Sequence, residues 1–140
     1  MSKQPPYVLE DNVGFILRQV TQRHVALFME VMPGGLTPTQ FSALAKLHDH
    51  GSISQTQLGR LTAMDAATIK GVVDRLARRG LLALDRDPDD RRMLVVSLTQ
   101  EGAAIATRAK LAAAEVTQKT LEPLAPSEQA SLLELLRRLR

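Results

Sequence analysis

Residues 54–99 constrain this chain more than any other stretch. They hold two helical segments joined by a connection too short to do anything but turn, followed by two strand-like runs. Ser54 can cap a short helix over Gln57–Thr62, with Gln57 at the capping-box position. Ala63-Met64 leaves room only for a turn. Asp65 has the chemistry of an N-cap, because its carboxylate can accept from the free amides that open the next helix. That helix carries Ile69, Val72, Val73 and Leu76 at i, i+3, i+4 and i+7, a single buried stripe. Gly80 is placed to end it, with Arg78 and Arg79 set against the C-terminal dipole. Two packed helices around so short a turn form the helix-turn-helix pattern.

The outer side of the second helix carries Ala66, Ala67, Thr68, Lys70 and Gly71 toward its N-terminal end. Small side chains there let a helix sit deep in a major groove, where its first residues meet base edges. A solvated, alanine-rich face would read the same way, so the ribbon that follows has to decide. Leu81–Leu84 and Met93–Leu98 read as strands around Asp85–Arg92, where Pro88 and the aspartates favour a turn. A hairpin after a helix-turn-helix is a wing, and a cationic wing tip suits a minor groove or a phosphate row. Asp85, Asp87 and Asp89 also occupy positions 1, 3 and 5 of a calcium loop. That reading fails because position six is Asp90 instead of glycine and position twelve is Val96 instead of glutamate.

These residues resemble a known family. Asp90-Arg91-Arg92-Met93-Leu94-Val95-Val96-Ser97-Leu98-Thr99 is similar to the D-x-R-x-x-x-V-x-L-T wing signature of the MarR (multiple antibiotic resistance) regulators. Val72-Val73-Asp74-Arg75-Leu76-Ala77-Arg78-Arg79-Gly80-Leu81 looks like the end of that family's recognition helix. The resemblance spans nearly the whole chain. It implies a mainly α fold: a winged helix-turn-helix over 36–99 inside a single domain of 1–140, with dimerisation helices over 8–32 and 100–140. It also implies a homodimer on a pseudo-palindromic double-stranded DNA operator, acting as a repressor. It carries the minor-groove arginine onto Arg92 and the carboxylate that orients it onto Asp90, with Arg91 as an auxiliary. Thr68 and Lys70 are candidates for base edges or adjacent phosphates, and Ala66 and Ala67 admit close approach. Arg75 is either a phosphate contact or an internal partner of Asp74. Lys70-Gly71 departs from the family, where Thr or Ser followed by Arg is common, and this puts the usual operator sequence in doubt.

The flanks fit a dimer. A chain of 140 residues suits one compact domain burying roughly two-thirds of its unfolded surface. Met1–Pro6 reads as a loose start. From Glu10 or Asp11 to Met32 the apolar residues keep helical spacing, giving a helix of about 33 Å, longer than the winged lobe needs. Pro33-Gly34-Gly35 stops it, and Thr37-Pro38-Thr39-Gln40 opens the next helix with a capping box, running to about His48. Ile53 reads as a brief strand joining the wing. Thr99 caps a long alanine-rich helix with an inner stripe of Ile105, Ala109, Ala112, Ala113 and Val116. Pro123–Pro126 breaks the chain before a last helix, where Ala125 replaces the usual capping Ser or Thr and Glu128 supports the start. Leu132, Leu133, Leu135, Leu136 and Leu139 make a face too wide for one contact. An ordinary core would explain such a stripe. A symmetric dimer built from both termini explains it more economically, since the winged lobe needs neither end.

Charge and composition narrow the function. Lys and Arg number 18 against 15 Asp and Glu, net +3, and Arg75, Arg78, Arg79, Arg86, Arg91 and Arg92 fall in the DNA-facing half. Charges interrupt every apolar run, so no membrane span or secretory signal is read and a cytoplasmic location is expected. The absence of cysteine excludes disulfides, cysteine zinc sites and the peroxide-sensing cysteine chemistry of one branch of the resembled family. His48-Asp49-His50 has poor spacing for a metal pair, and histidine near a helix C-terminus is favoured by the dipole anyway. No catalytic set or phosphate loop is present, so neither an enzyme nor a cofactor is expected. The alternative from another class is a winged-helix module that binds proteins; Arg91-Arg92 argues against it.

In the resembled family a small molecule, often an aromatic acid, sits between the dimer helices and the winged lobe. Phe15, Arg18, Gln22 and His24 are the residues this implies here, with Arg23 beside them, although solvated helix charges would account for the polar ones. Arg18 would pair a carboxylate, Phe15 would stack a ring, and His24 would meet a ring substituent. Tyr7–His24 and Leu61–Leu76 further resemble the branch that represses nicotinate degradation, which makes a hydroxylated nicotinate the leading effector.

Overall fold

A computed structural model describes residues 4–140. Of the expected loose start, Met1–Lys3 lie outside the described residues and Gln4–Val8 have no regular structure. A 3-10 turn at Leu9–Asp11 precedes α1 (Val13–Val31); α2 (Pro38–His50), β1 (Ile53–Ser54), α3 (Gln55–Leu61) and α4 (Ala66–Arg78) follow. The strands β2 (Leu82–Arg86) and β3 (Leu94–Leu98) form the wing, and α5 (Gln100–Leu121) and α6 (Pro126–Arg138) complete the chain. The expected mainly α winged helix-turn-helix is the fold observed.

Local chemistry accounts for most boundaries. The first helix starts later than Glu10 or Asp11 because Asn12, in extended backbone, accepts from the Gly14 amide at 3.0 Å and so caps it. Its 19 residues span about 28 Å. Thr37 accepts from the Gln40 amide while Gln40 Oε1 accepts from the Thr37 amide, the reciprocal box expected there. Ser54 accepts from the Gln57 amide at 3.1 Å, but among the described residues Gln57 returns no bond, so only half of that box forms, on a helix that already begins at Gln55. Glu128 Oε1 accepts from the Ala125 amide at 2.8 Å, the half of a capping box that does not need a hydroxyl at the N-cap.

The sheet has strand order β1-β3-β2, with Ile53 opposite Val96 and Leu84 opposite Val96 on the other side. β2 runs over Leu82–Arg86 where Leu81–Leu84 was expected, because Asp85 and Arg86 pair with Val95 and Leu94. The core joins Phe28 of α1 and its C-cap Met32, Leu44 and Leu47 of α2, Leu58, the α4 stripe of Ile69, Val72, Val73 and Leu76, Val96 of the sheet, and Ala106, Ala109 and Val116 of α5. Ala106 was outside the expected α5 stripe, whereas Ile105, Ala112 and Ala113 are only partly buried. The N-terminus of α5 is locked to the wing. Thr99 Oγ1 donates to Gly80 O at 2.7 Å and accepts from the Gly102 amide at 3.0 Å.

α6 buries no residue. Its Leu135, Leu136 and Leu139 are exposed, as are Val13, Ile16, Leu17 and Val20 of α1. Among the described residues no helix is long and apolar enough to cross a membrane.

Candidate nucleic-acid interface and effector groove

The turn between α3 and α4 is held by Thr62 Oγ1, which donates back to Leu58 O at 2.7 Å, and by the Met64 amide, which donates to Gly59 O at 2.9 Å. Ala63 takes a positive φ of 56° to make the corner. Gly59 permits the close crossing. A Cβ there would meet Met64 O at 3.1 Å and Ile69 Cγ2 at 3.2 Å. Asp65 Oδ1 accepts from the Thr68 amide at 2.7 Å, and hydrogen bonding from the Thr68 side chain and amide holds the carboxyl below its ordinary range. With Ile69, Val72, Val73 and Leu76 buried, Ala66, Ala67, Thr68 and Lys70 are left exposed on the outer side of α4.

Of the two readings of Arg75, the pairing with Asp74 is not the one observed. Lys70 Nζ, not Arg75, holds the Asp74 carboxylate, at 2.8 Å, and this bond keeps the carboxyl below its usual range. Arg75 takes part in none of the ion pairs among the described residues. Arg79 leaves the DNA-facing set, since its Nη2 donates to Gly34 O at 2.6 Å and ties the end of α4 to the turn after α1. Nothing in local sequence spacing reveals that bond, because the two residues are 45 positions apart.

By formal charge the wing tip is not cationic: residues 85–92 contain four aspartates and three arginines. The fold separates the two sets. Asp85 accepts from the Arg86 amide, and Asp87 Oδ1 accepts from the amides of Asp89 at 2.7 Å and Asp90 at 3.2 Å, so these carboxylates are turned into the loop's own backbone. Asp90 Oδ1 accepts from the Arg92 amide at 3.1 Å and faces Arg92 Nε at 3.4 Å. Arg92 is 94% exposed, a guanidinium held at its base and free at its tip. Arg91 is exposed beside it.

Sequence spacing also missed a small groove of about 210 Å³ between α3 and α4, where Gln55, Thr56 and Arg60 join Ala66 and Ile69. Gln55 Oε1 lies buried there without a hydrogen-bond partner. A polar run at the start of the first helix of the pair was the available signal.

On α1 the structure brings some effector candidates together and separates others. Arg18 and Gln22 line an open groove of about 630 Å³ with Gly14, Thr21 and Val25. Phe15 is half-buried one turn from Arg18. His24 does not join them within one chain, because at 3.6 residues per turn it lies about 120° around the helix from Arg18 and about 180° from Phe15. Its Nδ1 instead meets Thr120 Oγ1 at 2.9 Å, and its ring lines an apolar cleft of about 300 Å³ between α1, α5 and α6. Arg23 is exposed but not without partners. It donates to Thr120 O at 2.7 Å and Lys119 O at 2.9 Å, closing the C-terminus of α5. His48 and Asp49 are engaged by Lys110. Its Nζ contacts His48 Nδ1 at 2.7 Å and pairs with the Asp49 carboxylate, which keeps that carboxyl low.

Comparison with known proteins places this geometry. The model of the MarR family matches residues 36–94, the segment from the buried Leu36 to the first residue of β3. The HTH-type transcriptional repressor NicR of Pseudomonas putida is 40% identical over 135 residues, covering 96% of this chain and 85% of that protein. A probable transcriptional regulator from Pseudomonas aeruginosa superposes with a TM-score of 0.91 at 53% identity, over 95% of this chain and 100% of its own. BpsR of Bordetella bronchiseptica, whose DNA binding is regulated by 6-hydroxynicotinic acid, superposes with a TM-score of 0.90 at 40% identity, covering 96% and 97%. With its wing, its outward recognition helix and relatives that are transcriptional regulators instead of enzymes, this chain belongs to the MarR family.

Proposed function

We propose that this protein is a homodimeric repressor that grips an inverted-repeat operator and is released by a small aromatic carboxylate of the hydroxynicotinate class. The observation that carries the DNA part is the pairing of an α4 whose outer face buries nothing with an Arg92 that is anchored by Asp90 and open at its tip. In this reading Ala66 and Ala67 give clearance, Thr68, Lys70 and Arg75 reach bases or phosphates, and Arg91 and Arg92 enter the neighbouring groove. Two recognition helices on a symmetric dimer would meet half-sites about one helical turn apart, ~34–36 Å.

The effector part is supported by the α1 groove, where Arg18 supplies a cation and Gln22 a hydrogen-bonding amide; Phe15 lies one turn from Arg18 without lining that groove. BpsR, at 40% identity over nearly the full chain, favours a nicotinate-like ligand over other aromatic acids. The dimer is supported by the apolar residues of α1 and α6 that stay exposed among the described residues.

The test is binding to duplexes that the protein selects from a randomised pool, measured across salt. Each neutralised phosphate adds a slope of about 0.9 to the dependence of log affinity on log salt. Arg92→Ala should flatten the slope by about that amount for each phosphate the wing no longer neutralises. A variant that titrates like the wild type would remove the wing from the mechanism. A wild type that selects no duplex would favour the protein-binding alternative.

A further inference from the structure

Gly71 is the sixth residue of the 13-residue helix α4, in ordinary helical backbone. Glycine in a helix interior lowers stability relative to alanine, because the unfolded chain gains freedom and no side chain packs in return. Other glycines here have a structural reason. Gly59 and Gly102 have atoms within 3.1 Å and 2.0 Å of where a Cβ would stand, and Gly80 has a φ of 77°. Gly71 has none of these. A Cβ on it would meet one atom within 4 Å, Nη1 of Arg75 at 3.7 Å, which is ordinary van der Waals distance. The fold therefore does not need a glycine at this position.

Two further facts show where the reason lies. At i, i+4 and i+7, Ala67, Gly71 and Asp74 run along the side of α4 opposite the buried Ile69, Val72, Val73 and Leu76. Arg75 folds back toward the helix N-terminus, its guanidinium against the bare backbone at position 71. It has no ion-pair partner among the described residues, whereas Lys70 is engaged by Asp74.

We propose that Gly71 is a specificity-determining position of the recognition helix, and that its missing side chain lets the outer face of α4 approach the groove closely enough for Arg75 to donate a pair of hydrogen bonds to the N7 and O6 of a guanine. The inference rests on the DNA-binding function proposed for this chain. The glycine that costs the free protein stability is recovered as closeness to the groove, and Arg75 reads a base instead of a phosphate.

The test uses the full-length protein and the duplexes it selects from a randomised pool. Gly71→Ala should raise the melting temperature by about 2–4 °C. It should also weaken the selected duplex by about tenfold while leaving a non-selected duplex within about twofold. Arg75→Lys should lose the preference for one guanine per half-site by between about five-fold and a hundred-fold. A Gly71→Ala protein that keeps the selected duplex within about twofold would overturn the proposal, as would an Arg75→Lys protein that keeps the whole preference. In either of those cases DNA binding itself stands. A wild type that selects no consensus removes the DNA reading first, and this inference with it.

Discussion

At Gly102 a methyl group would sit 2.0 Å from the Leu81 carbonyl oxygen and 3.0 Å from its carbon, both backbone atoms that cannot rotate away. The same Leu81 oxygen accepts the Thr99 amide at 3.1 Å, and Thr99 caps α5, so the first turn of that helix is clamped to the base of the wing. Gly102→Ala should therefore destabilise the fold by about 1–3 kcal/mol, the ordinary cost of overpacking, read as a lower urea midpoint. An unchanged midpoint would mean that the start of α5 can slide away from the strand freely. Gly102 and Gly71 thus act in opposite ways. One has no room for a side chain inside the fold, and the other has room that the fold leaves unused.

Among the elements, α6 is the least self-sufficient. It buries no residue, and among the described residues its side-chain hydrogen bonds to the preceding chain are two from Gln129 Nε2, to Leu121 O and Leu124 O, beside one wall of the apolar cleft. Leu139 is 74% exposed and Val13 on α1 is 64% exposed. A helix with an apolar side and no buried residue is stable in water only when something covers that side. Deleting residues 127–140 should leave a monomer or an aggregate in sedimentation velocity. An intact, soluble dimer after that deletion would put the interface elsewhere.

For the molecule as a whole, a ligand can release DNA only if it binds better to the arrangement that misfits the operator. The α1 groove is suited to such coupling. α1 reaches the winged lobe through Phe28 and Met32 in the common core, and the turn that follows it holds Arg79 at the end of the recognition helix. Calorimetry with 6-hydroxynicotinate, salicylate and 4-hydroxybenzoate should give heat chiefly with the first. Saturation should weaken operator binding by roughly 5–150-fold, the usual size of such coupling. Arg18→Ala should cost about 1.5–3 kcal/mol of ligand affinity, the worth of a charged hydrogen bond. No heat with any of the three, or undiminished binding by Arg18→Ala, would end the effector reading and leave the DNA reading untouched.

What was legible in the sequence is whatever depends on neighbours within a few residues. The Asp65, Thr37 and Thr99 caps, the positive φ of Gly80, the α4 stripe and the brief strand at Ile53 all follow from chemistry within one or two turns, and the structure has each of them. The pairing of Asp90 with Arg92 belongs to the same class, at two residues' separation. Interactions between distant segments were not legible. Arg79 on Gly34, Arg23 on the end of α5, Lys110 on His48 and Asp49, and His24 on Thr120 join residues 45 to 97 positions apart. Periodicity gives the direction a side chain takes from its own helix, and by it Arg18 and His24 already stand about 120° apart; it does not give what stands there, which for His24 is Thr120 of α5. The sequence by itself determined the elements, their caps and the family. The tertiary structure decided which charges are held by distant segments and which, like Arg75, take part in none of the ion pairs among the described residues, because that depends on how the helices pack together in space.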